Sequence, residues 1–301
     1  MRIGYACLTI GVDGTSIKRS RIKNITTSLL MDLIEHNLNS LSNMINYNGE
    51  NEIKLFRISS DIIPFASNQV NEIKWATIFQ DKLVKIGRKI KETGMRVSMH
   101  PGQYTVLNSP DPAIVERAIA DLEYHALFLD SLQVGIENKI VLHIGGVYNN
   151  KELSKERFIE RYRKLDLAIK NRLVIENDDK SYNVADVLEI SAVTGLPVVY
   201  DRLHDEVNPA DTIKSYTDWI EQSSKTWAAV DGSPKIHYSQ QEPFKRAGTH
   251  SQTIDLDQFG IFFDTLKNNV DIMLEVKDKN ISATKCLQYL EDTGRIKRSR
   301  S

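Results

Sequence analysis

Residues 95–110 read MRVSMHPGQYTVLNSP, and how this stretch is parsed decides the fold. Its first six residues are a short β-type run that closes on His100 and breaks at once into Pro101-Gly102-Gln103-Tyr104. A strand that served only to fill a core would close on an aliphatic residue and an ordinary turn. Working outward, similar runs recur as RIGYACL at 2–8, IKLFRIS at 53–59, KIVLHIG at 139–145 and RLVIEN at 172–177. The series continues with LPVVYD at 196–201, PKIHYS at 234–239 and DIMLEV at 271–276, which makes eight. Between the runs lie helical patterns, such as Ile114, Ala118, Leu122, Ala126 and Leu129 at i, i+4 and i+3 spacing. Gly94 and Gly195 each stand just before the next run, where a left-handed C-terminal cap is needed.

Strands that alternate strictly with helices require parallel pairing and helical crossovers, and eight such units in 301 residues predict a closed (β/α)8 TIM barrel, an α/β fold. An open doubly wound sheet is the second choice. It loses support because GYACLTIGVDG after the first run lacks GxGxxG spacing. With no internal repeat, low-complexity tract or Pro/Ser-rich linker, one domain over 1–301 is expected, with a disordered basic tail, GRIKRSRS, at 294–301.

The formal net charge of −1 excludes a global basic bias, so any polyanion must be gripped by local patches. Cys7 and Cys286 form no CxxC pair, which argues against a disulfide framework or zinc-thiolate site and fits a reducing cytoplasm. The apolar MRIGYACLTIGV at 1–12 reads as a first strand rather than a leader, and no stretch reaches the roughly 18 apolar residues of a membrane span.

In such a barrel the functional face lies at the C-terminal ends of the strands. His100, His143, Glu176, Asp201, His237 and Glu275 all fall at or near run ends, and His204 and His250 stand in the segments that follow. One buried histidine is usually a satisfied core residue; five histidines and three carboxylates at one rim reverse that reading. Grouped carboxylates and imidazoles need a cation between them, because burying unpaired charge is costly. Nitrogen and oxygen donors without thiolate suit Mn²⁺ or Zn²⁺, with Fe²⁺ a further option, and eight donors exceed the about four that one structural zinc takes. Two or three ions with bridging carboxylates are expected, an arrangement that suits phosphodiester cleavage. His36 and His125 fall inside helical patterns and are read as structural.

GYACLTIG, LFRISSDIIPFAS, RVSMHPGQYTVLNSP, DLEYHALFLD, HIGG, VIENDDKSY and KIHYSQ together resemble the UV damage endonuclease family, and LEVKDK at 274–279 extends the likeness to the last run. The resemblance implies a metal-dependent TIM-barrel DNA repair endonuclease, related in architecture to endonuclease IV. It would nick double-stranded DNA immediately 5′ to cyclobutane pyrimidine dimers and 6-4 photoproducts, and in some members at abasic sites. The products would carry a 3′-hydroxyl and a 5′-phosphate, with no ATP or nucleotide cofactor. Also implied are a monomer, Mn²⁺ as the metal, and a cytoplasmic enzyme that is nucleoid-associated when acting. Carried onto this chain, the family ligands fall on the same eight residues: His100, His143, Glu176, Asp201, His204, His237, His250 and Glu275.

The resemblance further assigns Glu176, Lys235 and Tyr5 to catalysis, Lys235 as a lysine that can be carboxylated and Tyr5 as an active-site tyrosine. Lys235 precedes His237 by two residues and so shares its strand face. Gln103 and Tyr104 match the pair that probes the lesion. One departure is Asn68, where many members carry histidine after IIPFAS; asparagine is a poor ligand for these ions. Phosphates would be met by Lys18, Arg19 and Arg21 after the first run and by Lys245 and Arg246 after the seventh. The rival reading is a metal-dependent sugar isomerase, which also places His, Asp and Glu at strand ends but has no need of HPGQY or a basic first loop. A non-enzymatic nucleic-acid-binding barrel leaves the eight ligand-type residues without a purpose.

Overall fold

The structure, a computed structural model, describes residues 1–210, 213–267 and 269–297. Eight parallel strands close into a barrel in the order β1 to β8: Ile3–Ala6, Leu55–Ile58, Arg96–Met99, Lys139–His143, Leu173–Glu176, Val198–Asp201, Lys235–Tyr238 and Asp271–Leu274. β1 pairs with both β2 and β8, so no edge is left open. Each strand falls within one of the eight predicted runs. The strands are buried on both faces, which is why they read as apolar runs rather than as alternating ones.

Alternation sorts their residues. Ile3, Tyr5, Phe56, Ile58, Val97, Met99, Ile140, Leu142, Ile236 and Ile272 point outward into the layer shared with the helices. Their neighbours point inward, where Val141, Val174 and Val199 form one small cluster and Ala6, Leu55 and Met273 another. β1 and β2 approach closely at Gly4, where a Cβ would lie 1.6 Å from the Leu55 carbonyl oxygen. Charged inward residues close the lower end: Arg96 meets Asp271 at 3.0 Å and Lys139 meets Asp231 at 2.5 Å.

The crossover helices start and stop by ordinary capping chemistry. Thr26 and Asp111 accept hydrogen bonds at the heads of helices Thr27–Glu50 and Pro112–Ser131, the latter with proline in its first turn. Helix Val184–Thr194 opens with an Asn183/Asp186 capping box and ends on Gly195 at φ 74°. Among the described residues no helix is long and apolar enough to cross a membrane. The expected disordered tail needs correction over 294–297. Arg295 pairs with Asp264 at 2.6 Å and Ile296 packs on the core; residues 298–301 lie outside the described residues.

Candidate metal centre

Inward parity at the upper rim brings the run-end residues together. The pairing His143↔Glu176 and Asp201↔His237 places ligand-type side chains side by side on adjacent strands. Glu176, only 1% exposed, is the hub. His237 Nδ1 lies 2.7 Å from its Oε1, His100 Nε2 3.1 Å and His143 Nε2 3.7 Å from its Oε2, and His204 Nδ1 3.8 Å from Oε1. Glu275 continues the cluster, with His237 Nδ1 at 3.1 Å and His250 Nδ1 at 3.9 Å. His204 Nδ1 is 3.7 Å from Asp201 Oδ1. All eight predicted ligands therefore converge around two overlapping groups: His100, His143 and Glu176, and Glu176, Asp201, His237 and Glu275.

The electrostatics are those of buried carboxylates and imidazoles that set one another's charge. Burial resists ionisation of Glu176, but His237, His143 and a hydrogen bond from His100 hold its carboxyl well below the usual range. Burial likewise opposes Glu275, and the Arg57 guanidinium and His237 outweigh it. Burial pushes Asp201 up. Among the imidazoles, burial pulls His143 down to about 4. For His204, burial opposes the charge but Asp201 and Glu176 overcome it and raise the ring to about 9; for His237, Glu176 and Glu275 do the same, again to about 9. Without a cation, protons on these rings balance the carboxylates.

The donor set fits divalent metal on a further observation: His143 Nδ1, Asp201 Oδ2 and His237 Nε2 are buried with no hydrogen-bond partner. A buried polar atom left unsatisfied costs about 1–3 kcal/mol, so three in one cluster mark a place for something to bind.

Lys235 lies two residues below His237 on the same inward face, 1% exposed, with Nζ unpartnered. Burial and the nearby Arg96 guanidinium hold its amine well below the usual lysine range. Tyr5 does not join the site, which corrects the expectation of an active-site tyrosine. It shares the outward face of β1 with Ile3, packs edge-on against Phe56, and its hydroxyl donates to Asn48 Oδ1 at 2.7 Å and meets Thr9 Oγ1 at 2.6 Å. Asn68 is exposed, and its side chain accepts from the Val70 N–H.

Gln103 and Tyr104 stand exposed on the β3 loop, Tyr104 at 71%. The ring lies across Gly102, where a Cβ would come within 2.4 Å of it, so any side chain there would push the tyrosine out of this position. Lys18, Arg19, Arg21, Lys245 and Arg246 stand at the surface around the rim; Arg19 is engaged by Asp61 at 2.6 Å.

Three supporting features escaped the sequence reading. Arg57 of β2 forms a near-buried ion pair with Glu275 and fixes that carboxylate. Asn177 orients two ligands at once: its side-chain oxygen accepts from the Asp201 N–H, and its carbonyl oxygen accepts from His204 Nδ1 at 2.9 Å. The DLEYH segment braces the loops above β2 and β3, since Asp121 accepts from Thr105 Oγ1 at 2.6 Å and Ser67 Oγ at 2.9 Å, and Tyr124 donates to the Ser60 carbonyl oxygen at 2.8 Å. His125, read as structural, is buried and keeps that role, with its ring nitrogens on the Asp121 carbonyl oxygen and Ser60 Oγ.

A closed (β/α)8 barrel whose C-terminal rim gathers five imidazoles and three carboxylates defines a class: barrel enzymes built around a histidine–carboxylate centre. The sequence model of the UV-endonuclease UvdE family matches residues 1–300. The UV DNA damage endonuclease of Clostridium perfringens (strain 13 / Type A) is 43% identical, with 100% of this chain and 73% of the relative covered. The crystal structure of SacUVDE superposes with a TM-score of 0.93 at 40% identity, over 98% of this chain and 100% of that one. The chain belongs to the UV-endonuclease UvdE family. Endonuclease IV from Thermus thermophilus matches with a TM-score of 0.61 at 15% identity, covering 97% of this chain and 100% of that one, and shares the fold.

Proposed function

We propose that this enzyme nicks the DNA phosphodiester immediately 5′ to ultraviolet photoproducts, leaving a 3′-hydroxyl and a 5′-phosphate without nucleotide cofactors. Cyclobutane pyrimidine dimers, 6-4 photoproducts and abasic sites are its substrates, and Mn²⁺ is its metal. The observation that carries it is the convergence of His100, His143, Glu176, Asp201, His204, His237, His250 and Glu275 at one barrel rim, within a chain of this family. Divalent ions, when held by these residues, would supply the Lewis acidity that phosphodiester hydrolysis needs.

The chain's own residues do the rest. Glu176, common to both ligand groups, would hold metal together with the histidines and carboxylates around it. Arg57 keeps Glu275 in position, and Asn177 keeps Asp201 and His204. Lys235, buried beneath the ligands with its amine held below the usual range, can add CO₂ with loss of one proton to become an anionic carbamate. Gln103 and Tyr104 reach from the β3 loop into the duplex, where a photodimer has already weakened stacking and lowers the cost of opening. Lys18, Arg19, Arg21, Lys245 and Arg246 meet phosphates, which makes binding salt-dependent. The sugar isomerase alternative is not favoured by membership of an endonuclease family. The test is to incubate the protein and Mn²⁺ with supercoiled plasmid, irradiated or not: preferential relaxation of the irradiated form is expected, and equal nicking of both, or none of either, overturns the proposal.

A further inference from the structure

Phe244 is 106% exposed, the most exposed large apolar side chain among the described residues. It stands in the segment after β7 with its backbone at φ 61°, a left-handed setting that bulky residues seldom adopt. The segment is not loose. Gln241 and His250 form an antiparallel bridge across its base, and the Glu242 N–H donates to the Thr249 carbonyl oxygen at 2.7 Å. Inside the turn the Gln241 side chain donates to the Glu242 and Arg246 carbonyl oxygens and accepts from the Gly248 N–H at 2.8 Å. A bare aromatic is thus held out on a fixed arm, whose base is tied to His250 of the ligand cluster.

Its neighbours and location indicate what it meets. Lys245 and Arg246 follow it directly, both exposed. β3 and β7 are four strands apart in the closed barrel of eight, so the arms bearing Tyr104 and Phe244 rise on opposite sides of the ligand cluster. An aromatic face beside two surface cations matches a nucleic-acid base and its neighbouring phosphates. Bases of an intact duplex are stacked and offer no free face, whereas bases at an opened lesion do.

We infer that Phe244 is a second DNA-reading aromatic, which stacks on a base exposed at the opened lesion while Lys245 and Arg246 hold the adjoining phosphates. This deepens the reading of the site as a lesion endonuclease and assigns a contact from the side of the barrel facing away from Gln103 and Tyr104.

The experiment measures binding of a duplex bearing one cyclobutane thymine dimer, and of its undamaged twin, by fluorescence anisotropy, alongside nicking of the dimer duplex in Mn²⁺. Phe244→Ala is expected to weaken the dimer duplex about tenfold, the loss produced by removing one base–aromatic stack, and to leave the undamaged twin unchanged. Phe244→Trp should restore dimer binding, with its added indole fluorescence quenched by the DNA, and Phe244→Leu should not. Lys245→Ala with Arg246→Ala should weaken both duplexes alike and flatten the salt dependence. Wild-type dimer affinity in Phe244→Ala, or full recovery with leucine, overturns the inference. If the wild-type protein binds but fails to nick the dimer duplex, the proposed endonuclease activity falls, while the same binding series still decides the role of Phe244.

Discussion

Glu176→Gln is the sharpest perturbation of the centre. The side chain is 1% exposed and lies within 4 Å of imidazole nitrogens from four histidines, at 2.7, 3.1, 3.7 and 3.8 Å. It is also the one residue common to both ligand groups. Glutamine keeps the shape and removes the charge, so an ion bound at either group loses an anionic partner in a dry setting. Removing one member of a buried charge pair costs about 3–5 kcal/mol, and at about 1.4 kcal/mol per decade that is roughly two to four orders of magnitude in metal affinity. The assay has two arms: metal content of the purified protein after Mn²⁺ loading, and nicking of irradiated plasmid over a Mn²⁺ titration. Glu176→Gln should hold less metal and fail to nick, while binding DNA as the wild type does, because the substituted group is buried away from the rim surface. A variant that carries the wild-type metal complement and cuts at the wild-type rate would refute the assignment of Glu176 as hub.

Tyr104→Ala should lower the ratio of irradiated to intact plasmid nicked without changing metal content; an unchanged ratio removes Tyr104 from lesion reading. Thr105→Val breaks the buried bond to Asp121, so a loss of about 1–3 kcal/mol is expected, read as an earlier urea midpoint together with weaker lesion preference. Arg57→Met should strip Glu275 of its guanidinium partner and destabilise the chelated protein more than the Mn²⁺-loaded one, where a cation takes over; equal losses in both would show that Arg57 acts only by packing. His204 and His237 titrate near 9 when folded against 6.5 unfolded, so in chelated protein they contribute stability that is complete below pH 6.5 and disappears as the pH rises through 9. Chelated protein should therefore lose melting temperature between about pH 6.5 and 9, and Mn²⁺-loaded protein should keep it, since metal binding requires the neutral rings.

Most of the barrel was legible because parallel strands buried on two faces leave unbroken apolar runs, and helix caps such as Gly195 punctuate them. Six ligand-type residues announced themselves by standing at or near the ends of runs, where a purely structural strand carries aliphatics. His204 and His250 lie outside the strands and were placed by nearness to Asp201 and by position in the loop after the seventh run. Tyr5 was misassigned although its parity was readable: Ile3 and Tyr5 share one face of β1, and Gly4 and Ala6 take the other. Arg57 stayed hidden inside LFRIS because a lone charge in a strand says nothing of a carboxylate 218 residues away. The brace from Asp121 and Tyr124 was equally unreadable, since its partners at Ser67 and Ser60 lie 54 and 64 residues distant and meet it only after helix Pro112–Ser131 packs against the barrel. The tail was judged by composition, which cannot see Asp264 waiting for Arg295.

The eight ligand-type side chains are strewn from residue 100 to residue 275, and none comes from β1 or β2. No contiguous fragment shorter than β3 to β8 owns the complete set, and the entropy of closing such long chain segments is met only when the strands pair. Metal therefore cannot template this fold in the way it organises a zinc finger. It would arrive late, and a full complement would report that β3 to β8 have come together, while saying nothing of β1 and β2, which close the ring without a ligand of their own.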